Sequence, residues 1–130
     1  PRQGMQIAVL YCDVDGLKTV NDTFGHRVGD QLLRAVAGRM AGAVRRDDLV
    51  ARIGGDEFVI MATGITDDEA ALSLAGKVAE AVSRPLAVDG GTTLMPRISI
   101  GVAMAREGQT PDDVLAAADR ALYRQKRPRA

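Results

Sequence analysis

Cysteine and histidine each occur once in this 130-residue chain, at Cys12 and His26. A single cysteine excludes an internal disulfide, and a reducing cytoplasmic setting fits. One cysteine and one histidine also leave no cluster of the kind that binds zinc. Net charge is absent too: seventeen basic residues balance seventeen acidic ones. That balance removes the general electrostatic footprint expected for a nucleic acid or an anionic membrane as partner. No apolar stretch approaches the length of a bilayer span and no signal peptide is visible, so no membrane segment is expected in this chain. What the chain does have is 46% hydrophobic residues, enough for one compact domain with a core. Its charges are also uneven, since Arg120, Arg124, Lys126, Arg127 and Arg129 crowd the last eleven positions. They form either a solvated tail or a reach toward phosphate.

Residues 6–15, QIAVLYCDVD, make a nearly continuous apolar run ending in acids, which predicts a central strand covered on both faces. Cys12 lies inside it and reads as a small core residue. The segment GLKTVNDTFGHRVGD reads as a polar connection. Val28, Leu32, Leu33, Val36 and Met40 then recur at helical spacing, predicting a helix to about Ala43. DDLVARI and EFVIMA predict the arms of a hairpin, with the glycines between them supplying positive φ. Thr66 and Glu69 form a capping box for a helix carrying Ala71, Leu74, Val78 and Val82, with Pro85 just beyond it. Asp89-Gly90-Gly91 marks a second hairpin, between PLAV and the run TTLMPRISIGVAM, which holds the long strand. Thr110 and Pro111 start a last helix reaching about Arg124. The order β-α-β-β-α-β-β-α predicts an α+β fold with helices against a mainly antiparallel sheet.

Two groups of acids fall at one end of that sheet. Asp13 and Asp15 close the first strand, and Asp56 and Glu57 sit at the hairpin turn. Taken alone, GGDE is either a plain turn or a pair of acids held out toward a cation. With the hairpin beside the first strand, Asp13 and Asp56 meet, and they repel each other unless a divalent cation neutralises them. Oxygen-only ligands favour Mg²⁺ or Mn²⁺. Mg²⁺ held by few carboxylates completes its shell with water and substrate phosphates, which points to phosphoryl or nucleotidyl transfer. On residues alone, Asn21 reads as a turn residue, Asp30 as a helix-start acid, and Arg45 with Asp48 as a surface ion pair.

Four blocks, DVDGLKTVNDTFGHRVGD, RRDDLVARIGGDEF, ISIGVA and AADRALYRQK, resemble the GGDEF domain of the diguanylate cyclases in order and spacing, over nearly the whole chain. The resemblance implies a single domain over 1–130 with a sheet like the palm of nucleotide cyclases and polymerases. It implies condensation of two GTP into cyclic di-GMP with release of two pyrophosphates, Mg²⁺-dependent and across a two-fold homodimer. The alternative is a catalytically silent module that binds GTP or cyclic di-GMP and regulates a neighbour. By the same resemblance, Asp13, Asp56 and the backbone carbonyl of Val14 hold the metal. Asp56 is also placed as base for the 3′-hydroxyl, an awkward role for a metal-bound carboxylate, and Glu57 serves a second metal or the turn. Gly54 and Gly55 let backbone come close to the nucleotide. The amides around Gly16 and Leu17, with Lys18 and Lys126, grip the phosphates. Asn21 and Asp30 contact guanine, whose N1–H and N2–H donors suit a carboxylate. His26 is a loop-packing residue near substrate. Arg45 and Asp48, with five residues between Asp48 and the glycine pair, match an Arg-x-x-Asp product-inhibition site.

The chain also departs from the family pattern. The helix and Asp-x-Leu-Thr-x-Leu-x-Asn-Arg stretch expected before the first strand are not found. The closing strand after a Gly-Arg-Asn-like turn is not found either; KRPRA stands at its start, with Arg129 near the expected second basic position. The chain therefore reads as cut from a longer cytoplasmic signalling protein. Gly16 stands where many members carry a large residue, and no ligand is lost by it.

Overall fold

Strand β1 (Ile7–Val14) is central because its sequence is apolar on both faces: Ala8, Val9, Leu10, Cys12 and Val14 are all buried. The computed structural model describes residues 6–126. After β1 come helices α1 (Leu17–Phe24) and α2 (His26–Ala43), then strands β2 (Leu49–Arg52) and β3 (Glu57–Thr63). Helix α3 (Asp68–Val82), strands β4 (Leu86–Ala87), β5 (Thr93–Leu94) and β6 (Ile98–Met104), and helix α4 (Pro111–Lys126) complete the order. The main sheet runs β2-β3-β1-β6 and is antiparallel at every pairing. The small β4–β5 hairpin stands apart from it.

Alternation along the strands divides the core into two layers. Leu10, Cys12, Phe58 and Ile60 face α2 and α3, meeting Leu32, Val36, Met40, Val78 and Val82. Val9 and Val59 face the other way, against Val114 and Ala118 of α4. Helix α4 lies directly on the sheet backbone at Gly101, where a Cβ would stand 2.2 Å from the Ala118 carbonyl oxygen and the Leu122 nitrogen. Cys12 is fully buried, and burial pushes its thiol up to about 12, as befits a core residue. Arg39 of α2 donates to the carbonyls of Val82 (3.0 Å), Arg84 and Pro85 (2.9 Å), tying down the end of α3.

Several local expectations need correction. The connection after β1 contains a helix, α1, which buries no residue fully but sets Leu17 and Val20, half-buried, against the core. The cap of α3 is Asp67, one residue after Thr66: its Oδ1 accepts from the Ala70 amide at 2.8 Å. Helix α4 continues past Arg124 to Lys126. Its start is as expected and reciprocal, the Asp113 amide donating to Thr110 Oγ1 (3.1 Å) and the Thr110 amide to Asp113 Oδ2 (3.0 Å). The positions of Arg127 and Arg129 lie outside the described residues.

Candidate active site

The β1–β3 register sets Asp13 opposite Glu57, so Asp56 is the first residue beyond the ladder. The Val14 amide donates to the Asp56 carbonyl at 2.8 Å, docking the turn against the end of β1. Within the turn, the Ile53 amide donates to the Glu57 carbonyl at 2.9 Å. Neither Gly54 nor Gly55 has positive φ, contrary to the expectation for the glycines of this hairpin turn. Space explains Gly54, where a Cβ would press to 3.3 Å from Glu57 Oε1, while Gly55 faces open space.

Asp13 and Asp56 are brought together, and Lys126 is the cation beside them. Asp13 is only 15% exposed at its side chain, and its Oδ2 accepts from Lys126 Nζ at 2.5 Å. Its Oδ1 is buried and has no hydrogen-bond partner among the described residues. Burial, then the facing Asp13, raises the pKa of Asp56 above the usual carboxylate value. Lys126 is raised as well, chiefly by its hydrogen bond to Asp13. Lys126 Nζ also lies 3.6 Å from Asp15, whose carboxylate is fixed by the Ser99 hydroxyl at 3.0 and 3.1 Å. An orphaned buried carboxylate oxygen beside a second carboxylate is a donor set for a hard divalent cation. Among the described residues no three His, Cys, Asp or Glu side chains are grouped for a metal.

The other expected residues are spread around this end. Leu17 and Lys18 open α1, after Gly16 at φ 76°. Lys18 is exposed and pairs with Asp22 at 3.2 Å. The Asn21 side chain lies over Gly29 of α2, next to Asp30, so closely that a Cβ there would meet its Oδ1 at 1.8 Å. Asp30 lines a cavity of about 370 Å³ together with Leu33, Arg34, Val50, Arg52 and Phe58, and Asn21 is not part of that wall. His26 is not in a loop; it is the first residue of α2 and is exposed. Glu57 Oε1 accepts from the Tyr11 hydroxyl at 3.2 Å. Burial, with the Glu57 carboxylate beside it, pushes the Tyr11 phenol up to about 12.

Arg45 and Asp48 do not form the simple ion pair their charges invite. Asp48 accepts from the Arg45 amide (2.9 Å) and the Thr63 amide (3.2 Å), while the Arg45 guanidinium donates to the Thr63 carbonyl (2.6 Å). Sequence reasoning assigned no role to Tyr11, Ser99, Gly29 or Arg52. Only Arg52, immediately before the turn, carried a signal in its position.

A family model described as "Diguanylate cyclase, GGDEF domain" matches residues 1–130. The chain is 38% identical over 123 residues to the diguanylate cyclase TpbB of Pseudomonas aeruginosa, covering 94% of this chain and 28% of that protein. It therefore spans little more than a quarter of that relative. A solved structure of TpbB comprising only its GGDEF domain superimposes with a TM-score of 0.89 at 37% identity, over 94% of this chain and 72% of that one. The GGDEF domain of DgcB from Caulobacter crescentus, solved in complex with c-di-GMP, gives 0.86 at 30% identity, over 95% and 73%. With a family match over its full length and solved GGDEF domains that superimpose on it, the chain belongs to the GGDEF domain family of the diguanylate cyclases.

Proposed function

We propose that this domain is catalytically active and condenses two GTP molecules into cyclic di-GMP, releasing two pyrophosphates, with Mg²⁺ or Mn²⁺ as cofactor. The observation that carries this is the meeting of Asp13 and Asp56 where β1 ends against the β2–β3 turn, with Asp13 Oδ1 buried and unpartnered among the described residues. A bound divalent cation would supply charge neutralisation at the attacked phosphate and a lowered pKa for the attacking hydroxyl. Asp13, Asp56 and the Val14 carbonyl would hold it, with nucleotide phosphates completing the shell, in keeping with so few protein ligands.

The chain's own groups have distinct tasks. Asp30 accepts guanine N1–H and N2–H, and Asn21 on the adjoining helix adds a second polar contact to the base. Adenine lacks that donor pair and would leave Asp30 unmatched. Lys126 is placed to move from Asp13 to the phosphates once positive charge reaches Asp13, and Lys18 and the amide of Leu17 border the same end. Glu57, held by Tyr11, keeps to the turn. Arg45 and Asp48 bind product, and two copies act together in the cytoplasm, where GTP is supplied.

The test is incubation with GTP and Mg²⁺, followed by mass-spectrometric separation of products. Cyclic di-GMP and pyrophosphate in a ratio of one to two support the proposal. GTP binding without product, under conditions where the protein is dimeric, would leave a silent binding module.

A further inference from the structure

Arg52 ends β2, and its guanidinium turns back over the loop that follows. Its Nε–H donates to the Gly54 carbonyl at 3.0 Å and an Nη2–H to the Gly55 carbonyl at 2.7 Å. The backbone bonds inside the turn run from the Ile53 and Gly54 amides to the Glu57 carbonyl, and they leave those two carbonyls to Arg52. The same side chain also forms part of the cavity wall that includes Asp30, Arg34 and Phe58. One residue thus holds the turn that presents Asp56 and borders the cavity that Asp30 lines.

Arginine carries five N–H donors in a rigid fork. Two are engaged on the turn, which leaves three for a ligand that reaches the guanidinium. Guanine presents O6 and N7 as acceptors on the edge that arginine commonly pairs with, while its N1–H and N2–H donors suit a carboxylate. Asp30 and Arg52 therefore offer complementary chemistry to one base.

We propose that Arg52 is a positioning residue that couples base binding to the cation site: a guanine held in the cavity steadies the guanidinium, which steadies the Gly54–Asp56 backbone and so sets Asp56 against Asp13. This rests on the assignment of Asp13 and Asp56 as cation ligands. Lysine at position 52 keeps the charge and the stem, yet a single ammonium cannot hold two carbonyls and a base edge in fork geometry.

The experiment is Mn²⁺ binding followed by its electron paramagnetic resonance signal, with and without guanosine, which fills a base cavity but brings no phosphate to chelate the ion. Parent, Arg52→Lys and Asp56→Asn are compared, each with its thermal midpoint. Guanosine is expected to tighten Mn²⁺ binding to the parent by about fivefold or more. In Arg52→Lys that tightening should vanish with the midpoint near the parent's, and turnover should fall at least about tenfold with a smaller change in KM. A parent without any guanosine effect, or an Arg52→Lys variant that keeps it, would overturn the coupling. Asp56→Asn separates the two claims. If it binds Mn²⁺ like the parent, the cation assignment fails; if it loses Mn²⁺ while Arg52→Lys behaves as parent, only the role of Arg52 fails.

Discussion

At the scale of single residues, the carboxylate of Asp56 sits in a place that favours its neutral form, first through burial and then through the facing Asp13. Its folded pKa lies above its unfolded one. The stability it contributes is therefore present below the unfolded value, is lost as pH rises through the folded one, and stays absent at neutral pH. Asp56→Asn should raise the thermal midpoint at pH 7 in the presence of a chelator, measured by scanning fluorimetry. On the proposed function the same substitution also removes a cation ligand. Loss of a mere supporting partner costs about 10–100-fold, so turnover should fall by about a hundredfold or more. A lowered midpoint would show that the carboxylate is not disfavoured there, and near-parental turnover would remove it from the cation site. Asp48 and Arg45 separate in a similar way. Asp48 accepts from two backbone amides, so Asp48→Ala should cost about 1–3 kcal/mol in urea unfolding. Arg45 makes only an exposed bond to the Thr63 carbonyl, so Arg45→Ala should cost about 1 kcal/mol or less. Its initial rates should match the parent's while inhibition by added cyclic di-GMP weakens. Equal inhibition in progress curves of both proteins would make Arg45 a brace for β3 and nothing more.

Among the elements, two glycines make opposite predictions because different atoms stand over them. A Cβ at Gly101 meets main-chain atoms of α4, so Gly101→Ala must lift the helix, which carries Lys126, off the sheet. Overpacking of this kind costs about 1–3 kcal/mol, and a lowered midpoint by calorimetry should accompany loss of turnover. At Gly29 the obstacle is the end of the Asn21 side chain, which can swing away. Gly29→Ala should therefore keep the fold, helped by the helix preference of alanine, while binding GTP more weakly in calorimetric titration. Equal damage to midpoint and affinity would show that α1 and α2 cannot part there. The contrast also marks how far sequence could be followed. Helices α2, α3 and α4 and strand β1 bury regular apolar patterns, so they were legible. Helix α1 is eight residues long with nothing fully buried, and its role depends on crossing α2 at Gly29, a contact without a period. The meeting of Asp13 and Asp56 was legible because strand adjacency forces it. The grip of Arg52 on Gly54 and Gly55, and of Tyr11 on Glu57, arises through space from side chains that polar composition alone cannot aim. The glycine pair was legible as a turn, yet its backbone reaches the bend without positive φ.

For the molecule as a whole, the acids and Lys126 gather at one end of the sheet, where β1, the β2–β3 turn and the end of α4 come together. On the proposed function one such end, with the cavity lined by Asp30 beside it, provides for one nucleotide. Cyclic di-GMP contains two equivalent phosphodiester bonds, so its formation calls for two such ends related by a two-fold axis, each 3′-hydroxyl set against the other α-phosphate. The balance of seventeen basic and seventeen acidic residues puts no net repulsion in the way of that approach. Below the dissociation constant of the pair, the active fraction grows in proportion to concentration. Initial rate should then rise with its square, about fourfold for each doubling of protein. Sedimentation at the same concentrations fixes the monomer fraction. Joining two copies through a flexible linker should abolish the dependence, because the second copy is then present at an effective concentration in the millimolar range. A rate strictly proportional to concentration in a sample that sediments as monomer would mean that one domain completes both bonds alone, and the two-fold arrangement would have to be given up.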